Sequence, residues 1–406
     1  MSCVESTDGD DVLQMTASTT HESSGGLGAK AATVVAAGVI IRLLLLMLVD
    51  PAQSAFGGDA ASYVAEARRI LAGHWPGAFR PPLYPAFLAL TLPLGWWAPL
   101  VAQSALTIGS GVAATLRGRF LCGLLIASCP FLALFDFRLL SESLYINLAF
   151  LAWLAPIPIV SGLLLGAAIL TRNTLLLLPL FALVALRTRQ SAIVAVVAYL
   201  VVAPWLFLAG SAGGGMGLNL WIGTWERNGD WYLNGLEHPD FPPYAFASAA
   251  EERTVRSHWL DDPTLRRVAV DRIEHHPMAV AMTWVERYPR LWIGTRSDII
   301  PFRLARGSLA WTLIKAAFFS LNAALLAFGL WGALKPDRFL VPVIYVALFY
   351  VPFHNVETRY SLIALPFLMC LGARRLAGLH IAVPFWRVSR HRANGSAYVC
   401  LWERLR

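Results

Sequence analysis

The side chains able to do chemistry sit in four short polar segments between long apolar runs. In Gly57-Gly58-Asp59-Ala60-Ala61-Ser62-Tyr63, paired glycines allow a sharp turn. Asp59 then opens an amphipathic stretch in which Tyr63, Val64, Ala67, Ile70 and Leu71 share a face. Asp59 reads in two ways that do not exclude each other: a cap for that helix, or a carboxylate held at a membrane surface to accept a proton. In Arg80-Pro81-Pro82-Leu83-Tyr84-Pro85, three prolines predict a rigid, extended lead-in. It presents Arg80 and Tyr84 at the head of a span, where such residues commonly serve as interfacial anchors.

The third segment, Asp136-Phe137-Arg138-Leu139-Leu140-Ser141-Glu142-Ser143-Leu144-Tyr145, brackets a turn with two acids. Ordinary turn polarity with a Ser141 cap is the plain alternative to a site. The fourth pairs Arg172, in Leu170-Thr171-Arg172-Asn173, with His354-Asn355-Val356-Glu357-Thr358-Arg359-Tyr360. Arginine suits phosphate, because its planar fork donates two hydrogen bonds and stays charged. A local Glu357–Arg359 pair, or snorkelling, is the competing account of Arg359.

The elements that must position these residues are set by composition. Of 406 residues, 57% are hydrophobic and 14% charged, against roughly 25% charged in soluble domains. Lipid must solvate much of such a chain, which excludes a soluble fold. The net charge of +8 does not point to nucleic acid, because the basic residues form small clusters between apolar runs, as at cytoplasmic helix ends. Apolar runs at 31–49, 86–116, 120–135, 143–156, 158–171, 174–186, 191–208, 308–333, 339–353 and 361–373 predict about ten transmembrane helices. Lys30, Arg117 with Arg119, Arg187 with Arg189, Lys335 with Arg338, and Arg374 with Arg375 then share one side. The positive-inside rule makes that side cytoplasmic, with both termini inside.

The expected organisation is an all-α polytopic membrane protein with a small, mainly helical extracytoplasmic domain. Residues 1–30 form a polar, disordered cytoplasmic tail. Residues 31–208 form an N-terminal transmembrane module with a first outer loop at 50–85. Residues 209–306 form the outer domain, 307–376 the last transmembrane helices and 377–406 a basic cytoplasmic tail. Within 209–306, Asp262-Pro263 caps a helix over Thr264–His275, Pro277 stops it, and a second helix covers Ala279–Tyr288. Trp225, Trp231, Tyr232 and Trp259 there are expected to pack inside the domain rather than to stack on sugars. The five cysteines show no metal-binding spacing, and no disulfide framework is expected.

The order of the polar segments resembles the GT-C membrane glycosyltransferases, in particular the dolichyl-phosphate-mannose-protein mannosyltransferase-like branch, glycosyltransferase family 39. The likeness spans about residues 31–376. It rests on GGDAASYVAEARRILAG, RPPLYPAFLAL, LLSESLY, LTRNTLLLLP and ETRYSLIALPFL, with Trp221-Ile222-Gly223-Thr224 opening the soluble region. The resemblance implies an inverting transfer of a sugar from a polyprenyl-phosphate donor to a lipid, glycan or protein hydroxyl, on the outer face of the cell inner membrane. It makes Asp59 the catalytic base. Arg172 and Arg359, with Arg80 and His354 behind them, hold the donor phosphate. Glu142, or its rival Asp136, with Tyr63, Tyr84 and Tyr360, contacts substrate. No cofactor is implied, and Ala60 stands where a second, metal-holding acid follows in other members. The competing class is a lipid or lipid-linked-sugar flippase without covalent chemistry, disfavoured by the 98-residue outer region and the lack of internal duplication.

Overall fold

The computed structural model describes residues 24–56, 59–74, 80–209, 215–225, 245–258, 261–297, 300–335, 337–352 and 357–380. Gly57, Gly58, Trp231, Tyr232, Trp259, His354 and most of both tails lie outside the described residues. Among those described, secondary structure is helical apart from one isolated bridge between Val49 and Phe302. Five helices are long and apolar enough to cross a membrane: Gly26–Leu48, Ala98–Leu116, Arg189–Leu208, Leu309–Ala333 and Thr358–Leu379. The chain is an all-helical membrane protein.

The expectation of ten spans is corrected to these five plus shorter apolar helices of 10–17 residues, among them Leu83–Leu94, Glu142–Leu154 and Pro158–Thr171. Proline explains part of the difference. The expected 120–135 run breaks into Phe120–Ala127 and Pro130–Asp136, because Pro130 has no N–H to continue the first helix. At ~1.5 Å per residue a 13-residue helix reaches only about 20 Å of a ~30 Å hydrocarbon core. The Arg80–Pro85 lead-in is also less extended than expected. Pro82 is already helical in backbone, and Leu83, Tyr84 and Pro85 form the first turn of Leu83–Thr91.

Helix contacts place the polar segments. Pro158–Thr171 packs against Arg189–Ala209 through Gly162 and Gly166. A Cβ on Gly162 would lie 2.6 Å from Val197 Cβ, and one on Gly166 would lie 2.7 Å from Val201 Cβ. Small residues at four-residue spacing let membrane helices approach this closely. Cys122 and Cys370 form a disulfide with a Cα–Cα distance of 4.9 Å, contrary to the expectation of none. It joins two helices whose packing brings the thiols together, which spacing in sequence does not reveal.

Arginines gather at both ends of the bundle. At one, Arg119 lies 4.7 Å from the Phe339 ring, Trp153 Nε1 donates to the Arg338 carbonyl at 3.1 Å, and Arg374 pairs with Asp337. Arg359 occupies the opposite end of the Thr358–Leu379 run, so the segments of interest gather at the far end.

Residues 216–292 contribute the helices Met216–Gly223, Ala249–Ser257, Asp262–His275 and Pro277–Trp292. Leu218, Trp221, Ile222, Trp225, Val255, Leu265 and Ala269 form a core shared by the first three of these helices, so Trp225 packs rather than presenting a sugar platform. Asp262 does not cap its own helix. Its carboxylate accepts the Gly217 and Leu218 amides at 2.7 and 3.4 Å, and Asp261 takes the N-cap position. The second helix exceeds its expected bounds, starting at Pro277, which suits a first helical position, and reaching Trp292.

Candidate functional site

Asp59 precedes the helix Ala60–Leu71, yet its side chain makes no capping bond. The carboxylate instead accepts a hydrogen bond from Arg80 Nη2 at 3.1 Å, with the Asp59 side chain 46% exposed. Arg80 also donates to Ser62 Oγ at 3.0 Å and to the Tyr63 hydroxyl at 3.4 Å, and its guanidinium lies 4.6 Å from the Tyr63 ring centre. Partial burial raises the Asp59 carboxyl, but Arg80, then Arg359 and Arg172, outweigh it and hold it at about 2 rather than the ordinary 3.8. Three arginines from separate elements therefore act on one carboxylate.

Tyr63 links this corner to the next. Its hydroxyl donates to Ser141 Oγ at 3.1 Å. Ser141 precedes the helix Glu142–Leu154 but makes no cap, which leaves its hydroxyl to the cluster. Arg172 Nη1 reaches the same hydroxyl at 3.4 Å and pairs with Glu142 Oε1 at 2.9 Å. The Arg172 guanidinium lies 5.4 Å from the rings of both Tyr145 and Tyr360. Glu142 is buried, and its second oxygen, Oε2, has no hydrogen-bond partner.

The third corner is the 3₁₀ turn Thr358–Ile363. Arg359 pairs with Glu357 at 2.8 Å and donates to the Tyr360 hydroxyl at 3.0 Å. The local ion pair considered from sequence does form, while Arg359 still bears on Asp59. Arg138 stands within electrostatic range of Glu142, Arg359 and Asp59. Four guanidiniums thus face three carboxylates, an excess of positive charge that suits an anion.

Two expected site residues belong elsewhere. Asp136 is fully buried and pairs with Arg42 Nη2 at 2.5 Å, with Thr107 and Ser143 donating at 2.8 and 2.5 Å. That network fills its oxygens and removes it from contention with Glu142. Tyr84 is also fully buried, donating to Gln103 Oε1 at 2.8 Å. It packs edge-on against Tyr63 at 4.9 Å, beneath the cluster rather than facing it. Gln103 in turn donates to the carbonyls of Asp136 and Arg138 at 2.9 and 2.8 Å, tying the interior network to the site. Sequence reasoning passed over Gln103, Arg138 and Arg42, and took Ser141 only as a helix cap. A signal existed in the polar stripe Gln103, Thr107 and Ser110, at helical spacing inside an apolar span, and in a lone Arg42 within the first span, since polar groups at membrane depth are costly and seek partners.

Fold and site together define a helical membrane protein with a guanidinium-rich, carboxylate-bearing cluster at one end of its bundle. No family model, no curated protein and no solved structure matches this chain.

Proposed function

We propose that the chain is an inverting glycosyltransferase of the GT-C kind that moves a sugar from a polyprenyl-phosphate carrier to an acceptor hydroxyl at the extracytoplasmic face of the cell inner membrane. The observation that carries this reading is Asp59, a half-exposed carboxylate bonded to Arg80 and held in the field of Arg172 and Arg359. The acceptor oxygen attacks the anomeric carbon opposite the carrier phosphate. As that C–O bond forms, the bond from carbon to phosphate oxygen breaks, and its electron pair leaves on the carrier phosphate. The acceptor proton passes to Asp59 as general base. The departing phosphate is a stable anion and needs preorganised donors more than a proton. Arg172, Arg359 and Arg80 supply them.

A carboxylate held at about 2 is a weak base, and the same arginines make it so. A donor phosphate that engages them neutralises their field and returns basicity to Asp59. The base would then be effective only with donor in place, which protects the cluster from idle chemistry. Glu142 Oε2, buried and without a hydrogen-bond partner, is a lone pair that the pairing with Arg172 leaves unused. Apolar helices beside the cluster suit a carrier tail, since each buried CH₂ contributes about 0.8 kcal/mol.

The test is incubation of purified protein with radiolabelled polyprenyl-phosphate sugars and a panel of lipid, glycan and peptide acceptors. Transfer to one acceptor supports the reading. Carrier movement across a bilayer without any labelled product would favour a flippase instead.

A further inference from the structure

The Pro277–Trp292 helix carries apolar side chains on its exposed side as well as on its buried side. Its buried side carries Val280, Arg287 and Leu291. Arg287 donates to the Gly223 carbonyl at 2.8 Å and the Trp225 carbonyl at 2.5 Å, and Trp284 Nε1 donates to Gly223 at 3.0 Å. Its outward stripe is Met278, Met282 and Val285, exposed by 73%, 53% and 64%. These residues follow a four-then-three spacing that keeps them on one side of a helix. Ile293, just past its end, is 58% exposed. A contiguous apolar stripe of this kind marks a surface that something apolar covers.

Depth tells what covers it. The Trp292 carbonyl accepts a hydrogen bond from Asn322 Nδ2 at 2.7 Å. Asn322 lies three and a half turns into the 25-residue span Leu309–Ala333, roughly 20 Å from that span's near end at ~1.5 Å per residue. The chain then climbs back. Arg303 N donates to the Leu48 carbonyl at 2.8 Å, and Phe302 bridges Val49 at the end of the first span. The end of the helix therefore lies level with the middle of the Leu309–Ala333 span and with the first turn of the Thr358–Leu379 span. At 16 residues, with Glu286, Arg287, Pro289 and Arg290 inside it, the helix does not cross.

We propose that this helix is half-inserted in the leaflet on its own side of the membrane, with Met278, Met282 and Val285 seated among lipid acyl chains. Its inner end supports the candidate site. Ser361 Oγ donates to the Leu291 carbonyl, and Arg296 Nη1 donates to the Thr358 carbonyl at 2.8 Å and to Ser361 Oγ at 2.7 Å. Those bonds hold the turn that carries Arg359 and Tyr360. The lipid contact stands independently of the transferase reading.

The test places a nitroxide label singly at Met278→Cys, Met282→Cys and Val285→Cys, with Cys3→Ser and Cys400→Ser, in protein reconstituted into phosphatidylcholine–phosphatidylglycerol nanodiscs. Asp271→Cys, on the neighbouring helix with a side chain 70% exposed, is the water-facing reference. Molecular oxygen concentrates in lipid and a nickel chelate stays in water. The oxygen-to-nickel accessibility ratio is expected to be several-fold higher at all three stripe positions than at residue 271. Ratios equal to that at 271 overturn the proposal. So does low accessibility to both probes, which would mean that protein covers the stripe.

Discussion

The Asp59 carboxylate turns away from the helix it precedes and accepts a hydrogen bond from Arg80 at 3.1 Å, across 21 residues of chain. No side chain fills the capping place. The arginines that surround this acid, rather than the acid itself, are the groups that suit an anion.

The first consequence concerns pH. A folded-state value of about 2 lies below the ordinary 3.8, so ionised Asp59 stabilises the fold at pH above the ordinary value. That contribution is lost as pH falls through about 2. The unfolding midpoints of wild type and Asp59→Asn should therefore converge across that window and stay separated above it. In kinetics, the acid limb of kcat/KM, which reports free protein, should fall below the limb of kcat, which reports the donor-bound state with its arginines neutralised. Titrated rates with a polyprenyl-phosphate sugar check the order.

Arg172 and Glu142 form a partly buried pair at 2.9 Å. Arg172→Leu leaves the Glu142 carboxylate buried without a partner and should cost about 3–5 kcal/mol of stability. Arg172→Lys keeps the charge but loses the two-pronged fork. It should fold and raise the donor KM by about tenfold, equivalent to ~1.4 kcal/mol. Thermal unfolding in detergent and donor titration separate the two effects.

Arg42 and Asp136 lie away from the cluster and are expected to act on stability alone. Asp136→Ala strands the Arg42 guanidinium, at a cost of about 3–5 kcal/mol, whereas the double change Arg42→Met with Asp136→Leu should recover most of it. A double-variant unfolding cycle measures the coupling. Recovery of the fold with full loss of transfer would return Asp136 to the site.

Close helix approach behind Arg172 depends on Gly166. Gly166→Val forces side-chain atoms into Val201, and overpacking of this kind costs about 1–3 kcal/mol. Gly109→Ala, where no atom lies within 4 Å of an added Cβ, should be neutral. Comparison of their unfolding midpoints checks the contrast.

Much of the cluster was legible in sequence because ionisable residues at the ends of apolar runs are few and costly. Asp59, Arg80, Glu142, Arg172 and Arg359 stood out for that reason, and the chain brings them to one place. What could not be read was the direction in which a polar side chain turns. Asp136 and Glu142 sit six residues apart in the same segment, yet one points inward to Arg42 and the other meets Arg172. That choice depends on residues of distant helices, as it does for Tyr84 and Gln103. Helix positions were largely visible from apolar runs, while their lengths were cut by Pro130 and Pro179 and by the 3₁₀ turn at Asn173–Leu175. The Cys122–Cys370 link joins residues 248 apart, and nothing in local pattern foretells it.

The most direct measurement compares wild type with Asp59→Asn in single turnover, using protein saturated with the labelled polyprenyl-phosphate sugar that the acceptor screen identifies. Removal of a general base should slow product formation by roughly 10²–10⁴-fold, while donor affinity changes little and the variant stays folded near neutral pH, with its unfolding midpoint lowered by the lost Asp59–Arg80 pair. Product formation at the wild-type rate by Asp59→Asn, in folded and donor-bound protein, would contradict the assignment of Asp59 as the base.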